Sequence, residues 1–293
     1  MESMTDLAVA ISRAVGQHSA LSTRLPGLNL YRSATTVVRT PMVYVPTICL
    51  IAQGRKQVHY GDKSCSYDPS HYLINSLTLP IEAEILDVTP GRPYLGLSLA
   101  VDPQVVSQLM LELDRHLAPP ASAELPDIIA ASGITRPLEH AFIRLLGLLE
   151  SPLDLEILGP GIQREIFYEV LKGPHGHLLR NCVASHAGAS RIAPVVHFIE
   201  KHFEQPLDID AIAQQAGMSA SSLHAHFKEV TSLSPMQFVK SLRLHRAHML
   251  LLSGQLASEA SYRVGYGSPS QFSREFKRFF GVSPRDVQTR GAA

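Results

Sequence analysis

The sequence predicts an α+β protein, with an antiparallel β-barrel or sandwich and packed helices in its N-terminal part and an all-α double helix-turn-helix at its C-terminal end. Three observations carry this. A passage near the C-terminus occurs twice, seven short β-type runs stand between Leu30 and Leu99, and the basic charge is gathered at one end of the chain.

The first copy of the repeat runs Gly217-Met218-Ser219 through Phe227-Lys228 to Ser234-Pro235, and the second Gly265-Tyr266-Gly267 through Phe276-Lys277 to Ser283-Pro284. Phe227 to Phe276 and Pro235 to Pro284 are both 49 residues, a register-locked duplication. Each copy reads helix, tight turn, helix, over about residues 208–230 and 257–280. Gly217 and Gly265 stand where the turn needs positive φ, which costs a residue with a Cβ roughly 1 kcal/mol or more. Ala213 and Ser261, four residues earlier, are small enough for the second helix to cross closely.

Leu223, Phe227, Phe272 and Phe276 are the expected buried anchors of the second helices. That leaves Ser221, Ser222, His224, Ala225 and Lys228 in the first unit to face duplex DNA, and Ser270, Gln271, Ser273, Arg274 and Lys277 in the second. Arg274 can make a bidentate contact with guanine and Gln271 with adenine. The first unit offers small side chains and His224, so it is expected to hold phosphates and discriminate weakly. The connector within Pro235–Leu252, about 17 residues at about 1.5 Å each, is about 25 Å long. With helix widths added it can hold the two reading helices about 34 Å apart, one turn of B-DNA.

The chain has 293 residues, enough for two domains, and is 45% hydrophobic with a formal net charge of zero. The distribution of charge says more than its sum. From His224 onward ten Lys and Arg face four acids, a net +6, so residues 1–223 carry −6. Cys49, Cys65 and Cys182 are far apart with no C-x-x-C, which excludes a zinc ribbon and argues against a disulfide framework. Met1-Glu2-Ser3 opens no apolar leader, and no run of 18 apolar residues occurs, so a reduced cytoplasmic protein with no membrane partner is expected.

In order, residues 3–18 predict a helix with Leu7, Ile11, Ala14 and Val15 on one face. Strands are predicted at Leu30–Arg39, Thr47–Ala52, Lys56–Tyr60, Ser64–Tyr67, His71–Ser76, Ile81–Val88 and Tyr94–Leu99, parted by Gly54, Gly61-Asp62, Asp68-Pro69 and Thr89-Pro90-Gly91. Asp102-Pro103 is a cap followed by a first-turn proline and announces a helix. Pro119-Pro120 and Pro126 mark an irregular stretch. A strongly apolar helix at Pro137–Glu150 needs either the β-structure or a second subunit to cover it, and a homodimer contact is assigned there. Pro160 is expected to begin the next helix, and a short one follows to about Ala184. His186-Ala187-Gly188-Ala189-Ser190 is the expected linker, dividing residues 1–185 from 186–293.

Residues 187–293 resemble the double helix-turn-helix DNA-binding domain of the AraC/XylS family of bacterial transcription regulators. The residues that carry this are Ile212-Ala213…Gly217-Met218-Ser219, Phe227-Lys228, Ser234-Pro235, Arg243-Leu244…Ala247, Val264-Gly265-Tyr266, Gln271 to Lys277, and Phe280 to Pro284. Residues 1–185 are similar to the AraC-type N-terminal, cupin-like domain, through Gly54-Arg55-Lys56, Tyr60-Gly61, Leu79-Pro80 and Asp102-Pro103. The resemblance implies an effector-responsive, often dimeric regulator. A small molecule would bind its N-terminal domain, promoter DNA its C-terminal domain, and RNA polymerase would be a further partner of such an activator. Two residues depart from the pattern: Ser232 stands where the second copy has Gly281, and Ser261 stands where alanine is usual.

Cupin metal sites use an H-x-H, but His59 is followed by Tyr60-Gly61 and His71 by Tyr72, so no metal and no cofactor is assigned. His224-Ala225-His226 and His245…His248 lie inside the DNA-binding helices, where their spacing is incidental. Cys49 reads as core filler; electrophile sensing by Cys49 or Cys65 would need a lowered pKa and exposure. No G-x-S-x-G, P-loop or dinucleotide fingerprint is present, and no enzyme activity is assigned. The competing readings are a cupin-type enzyme with a basic helical tail and a constitutive architectural DNA binder.

Overall fold

The computed structural model describes residues 4–89, 91–115, 127–184 and 192–291. The proposed linker at 186–190 and the prolines at 119, 120 and 126 lie outside them. The N-terminal part contains α1 (Asp6–Val15), β1 (Ala20–Ser22), β2 (Leu28–Ser33), β3 (Val37–Tyr44), β4 (Thr47–Gln53), β5 (Arg55–Tyr60), β6 (Lys63–Tyr67), β7 (His71–Asn75), β8 (Leu79–Leu86) and β9 (Tyr94–Ala100). It continues with α2 (Pro103–Leu113), β10 (Ile129–Gly133), α3 (Arg136–Gly147), α4 (Pro152–Lys172) and α5 (Gly176–Ala184). Then come α6 (Ile192–His202), α7 (Ile209–Gln215), α8 (Ala220–Thr231), α9 (Pro235–Leu252), α10 (Ala257–Arg263), α11 (Pro269–Phe280) and α12 (Pro284–Gly291).

The strands form two antiparallel sheets, ordered β1-β2-β9-β4-β7-β10 and β3-β8-β5-β6. β4 is buried at every position because it lies inside the first sheet with a layer on either side. Its alternation sorts the layers. Ile48, Leu50 and Ala52 join the helix-side core with Ile11, Phe142 and Phe167. Cys49 and Ile51 join the inter-sheet core with Tyr67, Leu73 and Ile81. Burying a side chain such as Phe142 contributes about 1.5–3 kcal/mol.

Several expectations change. Leu30–Arg39 is not one strand. The chain turns at Ser33-Ala34-Thr35-Thr36 and changes sheet, so that β2 pairs with β9 and β3 with β8. β1 and β10 were not expected; both are short and depend for their pairing on neighbours elsewhere in the sheet, β10 closing on β7 from Ile129↔Asn75 to Gly133↔His71. Pro160 lies inside α4 and does not begin it. The helix starts at Ser151, whose hydroxyl accepts from the Asp154 amide, with Pro152 in the first turn. Pro160 deprives the Glu156 carbonyl of its helical donor, but both residues are exposed and water can replace it. The helix expected at Pro137–Glu150 ends at Gly147 with a 3-10 turn at Leu148–Glu150. Its apolar face, Leu138, Phe142, Leu145 and Leu146, is buried in the chain's own core, which removes the basis for placing a dimer contact there.

The C-terminal helices share two cores, and α9 belongs to both. Phe238, Val239 and Leu242 pack with Leu223 and Phe227 in a cluster continuous with the inner face of the β-structure. Leu244, Ala247 and Leu251 pack with Val264, Tyr266, Phe272, Phe276 and Val287. α9 also rests against β3 and β8. No helix among the described residues is long and apolar enough to cross a membrane.

Candidate nucleic-acid interface

The two halves of the repeat share the cap of the second helix and the bond that closes the turn, whereas only the first unit caps its first helix with a side chain, since Leu256 precedes α10. In the first, Asp208 caps α7 by accepting from the Ala211 amide at 2.8 Å, and Ser219 caps α8 by accepting from Ser222. In the second, Ser268 caps α11 by accepting from Gln271. Gly217 (φ +61) and Gly265 (φ +85) take the left-handed turn. After each, the next amide returns to the carbonyl of the small residue: Met218 N to Ala213 O and Tyr266 N to Ser261 O, both at 3.0 Å. Ala213 and Ser261 are buried beneath that crossing, and the Ser261 hydroxyl is satisfied by donating to Ser258 O.

The two glycines differ in surroundings. A Cβ at Gly217 would meet open space, whereas one at Gly265 would stand 2.5 Å from Glu204 O and 3.1 Å from Arg243 Nη2. Gly217→Ala should therefore cost about 1 kcal/mol and Gly265→Ala about 2–4 kcal/mol. Urea titration of the two variants checks this; equal losses would refute the crowding at Gly265.

Leu223, Phe227, Phe272 and Phe276 are fully buried, and the opposite faces of α8 and α11 are open. Ser221, His224, Ala225 and Lys228 are exposed on α8, and Ser270, Gln271, Ser273, Arg274 and Lys277 on α11. Ser222 is half-buried and engaged within its own helix, its hydroxyl lying 3.3 Å from His226 Nδ1. Gln271 donates to Glu275 Oε1 at 3.3 Å, which holds its amide over the helix surface. Glu275 turns away from that surface toward α9, accepting from the Tyr266 hydroxyl at 3.0 Å and pairing with Lys240 Nζ at 2.9 Å. Burial pushes this carboxyl up, but hydrogen bonds from Lys240, Gln271 and Tyr266 outweigh it and hold the pKa below its ordinary value. The one acid of α11 is thus neutralised, and Arg274, Lys277 and Arg278 give its outer face a positive field.

Sequence reasoning missed two residues here. Arg243, read as basic charge and as part of the family pattern but given no role, donates from Nε to Phe203 O at 2.7 Å and from Nη2 to Gln205 O at 2.8 Å. It closes the end of α6 against α9 and is structural. His245, whose spacing from His248 reads as incidental, is buried edge-on to Phe279 and Phe280 at 5.3 and 5.2 Å.

The β-structure holds a cavity of about 390 Å³ between its sheets, lined among others by Tyr31, Tyr44, Cys49, Lys56, Tyr67 and Tyr94. His59 and His71 do not line it. They lie in different sheets, His59 bonded to Glu84 and His71 to Asp68, both at 2.9 Å. Burial pushes the Cys49 and Cys65 thiols up, opposite to what electrophile sensing requires.

Comparison with known proteins agrees with this anatomy. The transcriptional activator RhaS of Escherichia coli is 36% identical over 101 residues, which cover 34% of this chain and 36% of that protein, so the match spans about a third of the relative's length. ToxT of Vibrio cholerae superposes with a TM-score of 0.64 at 13% identity, covering 92% of this chain and 98% of that one. ToxT bound to an unsaturated fatty acid gives a TM-score of 0.62 at 14% identity, over 93% and 95%. At such identities the likeness is one of fold. Residues 212–290 match the family model of a helix-turn-helix domain, and residues 24–178, more than half the chain, match that of the AraC-type transcriptional regulator N-terminus. The chain belongs to the AraC-type transcriptional regulators.

Proposed function

We propose that this chain binds promoter DNA sequence-specifically through its two helix-turn-helix units and that a small molecule held between its sheets controls that binding. The observation that carries the reading is the pair of matched units on one shared helix, each presenting an open face beside a buried aromatic anchor. Residues 1–185 act as the sensor and residues 186–293 as the DNA-binding part. The contacts to DNA come from Ser221, Ser222, His224, Lys228, Ser270, Gln271, Ser273, Arg274 and Lys277. The relative named an activator supports a role that raises transcription; in the proposed role the chain works beside RNA polymerase in the cytoplasm, with no catalytic turnover of its own. ToxT holds a fatty acid, which supports a small effector here. For self-association the chain keeps Leu153 and Ile157, one turn apart on α4 and each 68% exposed.

Arg274→Ala should weaken specific binding by about 1–3 kcal/mol and relax base choice at one position. Lys277→Ala should weaken binding to all sequences and lower the salt slope by about one. Binding of full-length protein to a selected operator and its single-base variants reads both. Uniform loss for Arg274→Ala would make it a phosphate clamp and remove it from base readout.

A further inference from the structure

Lys56 belongs to Gly54-Arg55-Lys56, and strand alternation alone decides where it points. It pairs with Tyr67 on β6 and Ile85 on β8, two residues from fully buried Val58, whose partner Ala83 is also buried. Lys56 therefore shares the inward face of its sheet. The acids of β8, Glu82 and Glu84, flank Ala83 and face outward, where they pair with Arg39 and His59. The inward lysine is left with no carboxylate among the described residues. Among the described residues no Asp or Glu lines the cavity, and the ammonium stands over the Tyr44 ring, 5.2 Å from its centroid.

The Tyr44 hydroxyl is itself buried without a well-formed hydrogen bond, its neighbour being the Tyr67 phenol. The rest of the lining mixes Ile85, Leu97 and the rings of Tyr67 and Tyr94 with the polar Asn29, Thr47 and Ser98, and with Arg32, whose guanidinium donates to Gln17. Burial pushes the Lys56 pKa down, as expected of an ammonium stripped of water with no counter-charge. A cationic ligand would meet like charge in this cavity, and a polyol would find no carboxylate acceptor. An anion would supply the partner that Lys56 lacks.

Resting on the effector-controlled reading above, we propose that the inter-sheet cavity binds a small organic acid, one carboxylate on an apolar body, with Lys56 as its counter-charge and the Tyr44 hydroxyl as a neighbouring donor. The volume of about 390 Å³ suits an aryl or medium-chain acid.

The test uses the full chain and calorimetric titration with 4-phenylbutyrate and octanoate against the matched neutral 4-phenylbutan-1-ol and 1-octanol. The acids should bind at least about tenfold more tightly than their alcohols. Lys56→Met should erase that preference while leaving alcohol binding within about twofold, and Lys56→Arg should keep part of it. Because Lys56→Met removes an uncompensated buried charge, the free variant should melt no lower than the parent, so a lost preference is not a folding defect. Equal binding of acid and alcohol, acid binding unchanged in Lys56→Met, or no binding of any of the four would overturn the proposal. Operator affinity measured on the same preparations separates the two claims. Intact salt-dependent DNA binding with no acid preference sinks the acid site alone, and absent DNA binding sinks the regulator reading itself.

Discussion

Phe276→Ala should destabilise the second helix-turn-helix unit by about 3–5 kcal/mol and abolish sequence-specific DNA binding by the whole protein. Phe276 is fully buried, with Phe272 and Phe280 at ring separations of 5.4 and 4.6 Å and His248 stacked at 6.0 Å. Truncation removes those ring contacts, each worth about 0.5–1.5 kcal/mol beyond area, and leaves a hole between α9 and α11 that rigid helices cannot close. Against a typical net stability of about 5–15 kcal/mol, little would remain to hold α11 in place. Phe276→Leu keeps most of the volume and should cost less than half as much. Urea unfolding and operator titration of both variants check this. Near-parental stability in Phe276→Ala would mean that the second core is looser than its packing indicates.

His245 should make the C-terminal helices sensitive to acid. Its ring is buried among Phe279 and Phe280, its Nε2 has no hydrogen-bond partner among the described residues, and burial, reinforced by His248, pulls its pKa down from 6.5 to about 3. A group with a depressed folded pKa is held neutral by the fold, while the unfolded chain takes up its proton near pH 6.5. Its contribution is therefore complete above pH 6.5 and drains away as pH falls toward the folded value. The slope approaches about 1.4 kcal/mol per pH unit, or roughly 2 kcal/mol between pH 6.5 and 5, before most carboxylates titrate. His248, also pushed down by burial, adds to the same trend. His245→Leu should flatten the pH dependence of the urea midpoint between pH 7 and 5. An unchanged slope in that variant would assign the acid sensitivity elsewhere.

The parts legible in the sequence are those whose cause is local or periodic. Asp102-Pro103 announces α2 because capping chemistry acts over three residues, and Gly217 and Gly265 mark their turns because positive φ is a property of one residue. The 49-residue register locates α8 and α11 to within a residue or two, since both copies solve the same packing problem. Ser232 fits this too. It takes φ +61 where the second copy has Gly281 at +74, and a Cβ on Gly61 of the β5–β6 turn would overlap its side chain. What stayed illegible depends on partners distant in sequence. β10 becomes a strand only when β7 offers its edge, and Pro160 is tolerated only because its face of α4 meets water. Arg243 and Lys56 look like surface charge until tertiary structure shows one closing α6 and the other facing a cavity without acids.

Both reading helices should reach the duplex from one side, because a single helix carries them. α9, of 18 residues, spans about 27 Å and packs against both units. Hydroxyl-radical footprinting of the full-length protein on a selected operator, with methylation interference on the same fragment, tests this most directly. Two contacted major-groove segments on one face of the duplex, centred about one turn or 34 Å apart, are the predicted result. A single contacted segment, or two on opposite faces, would contradict it.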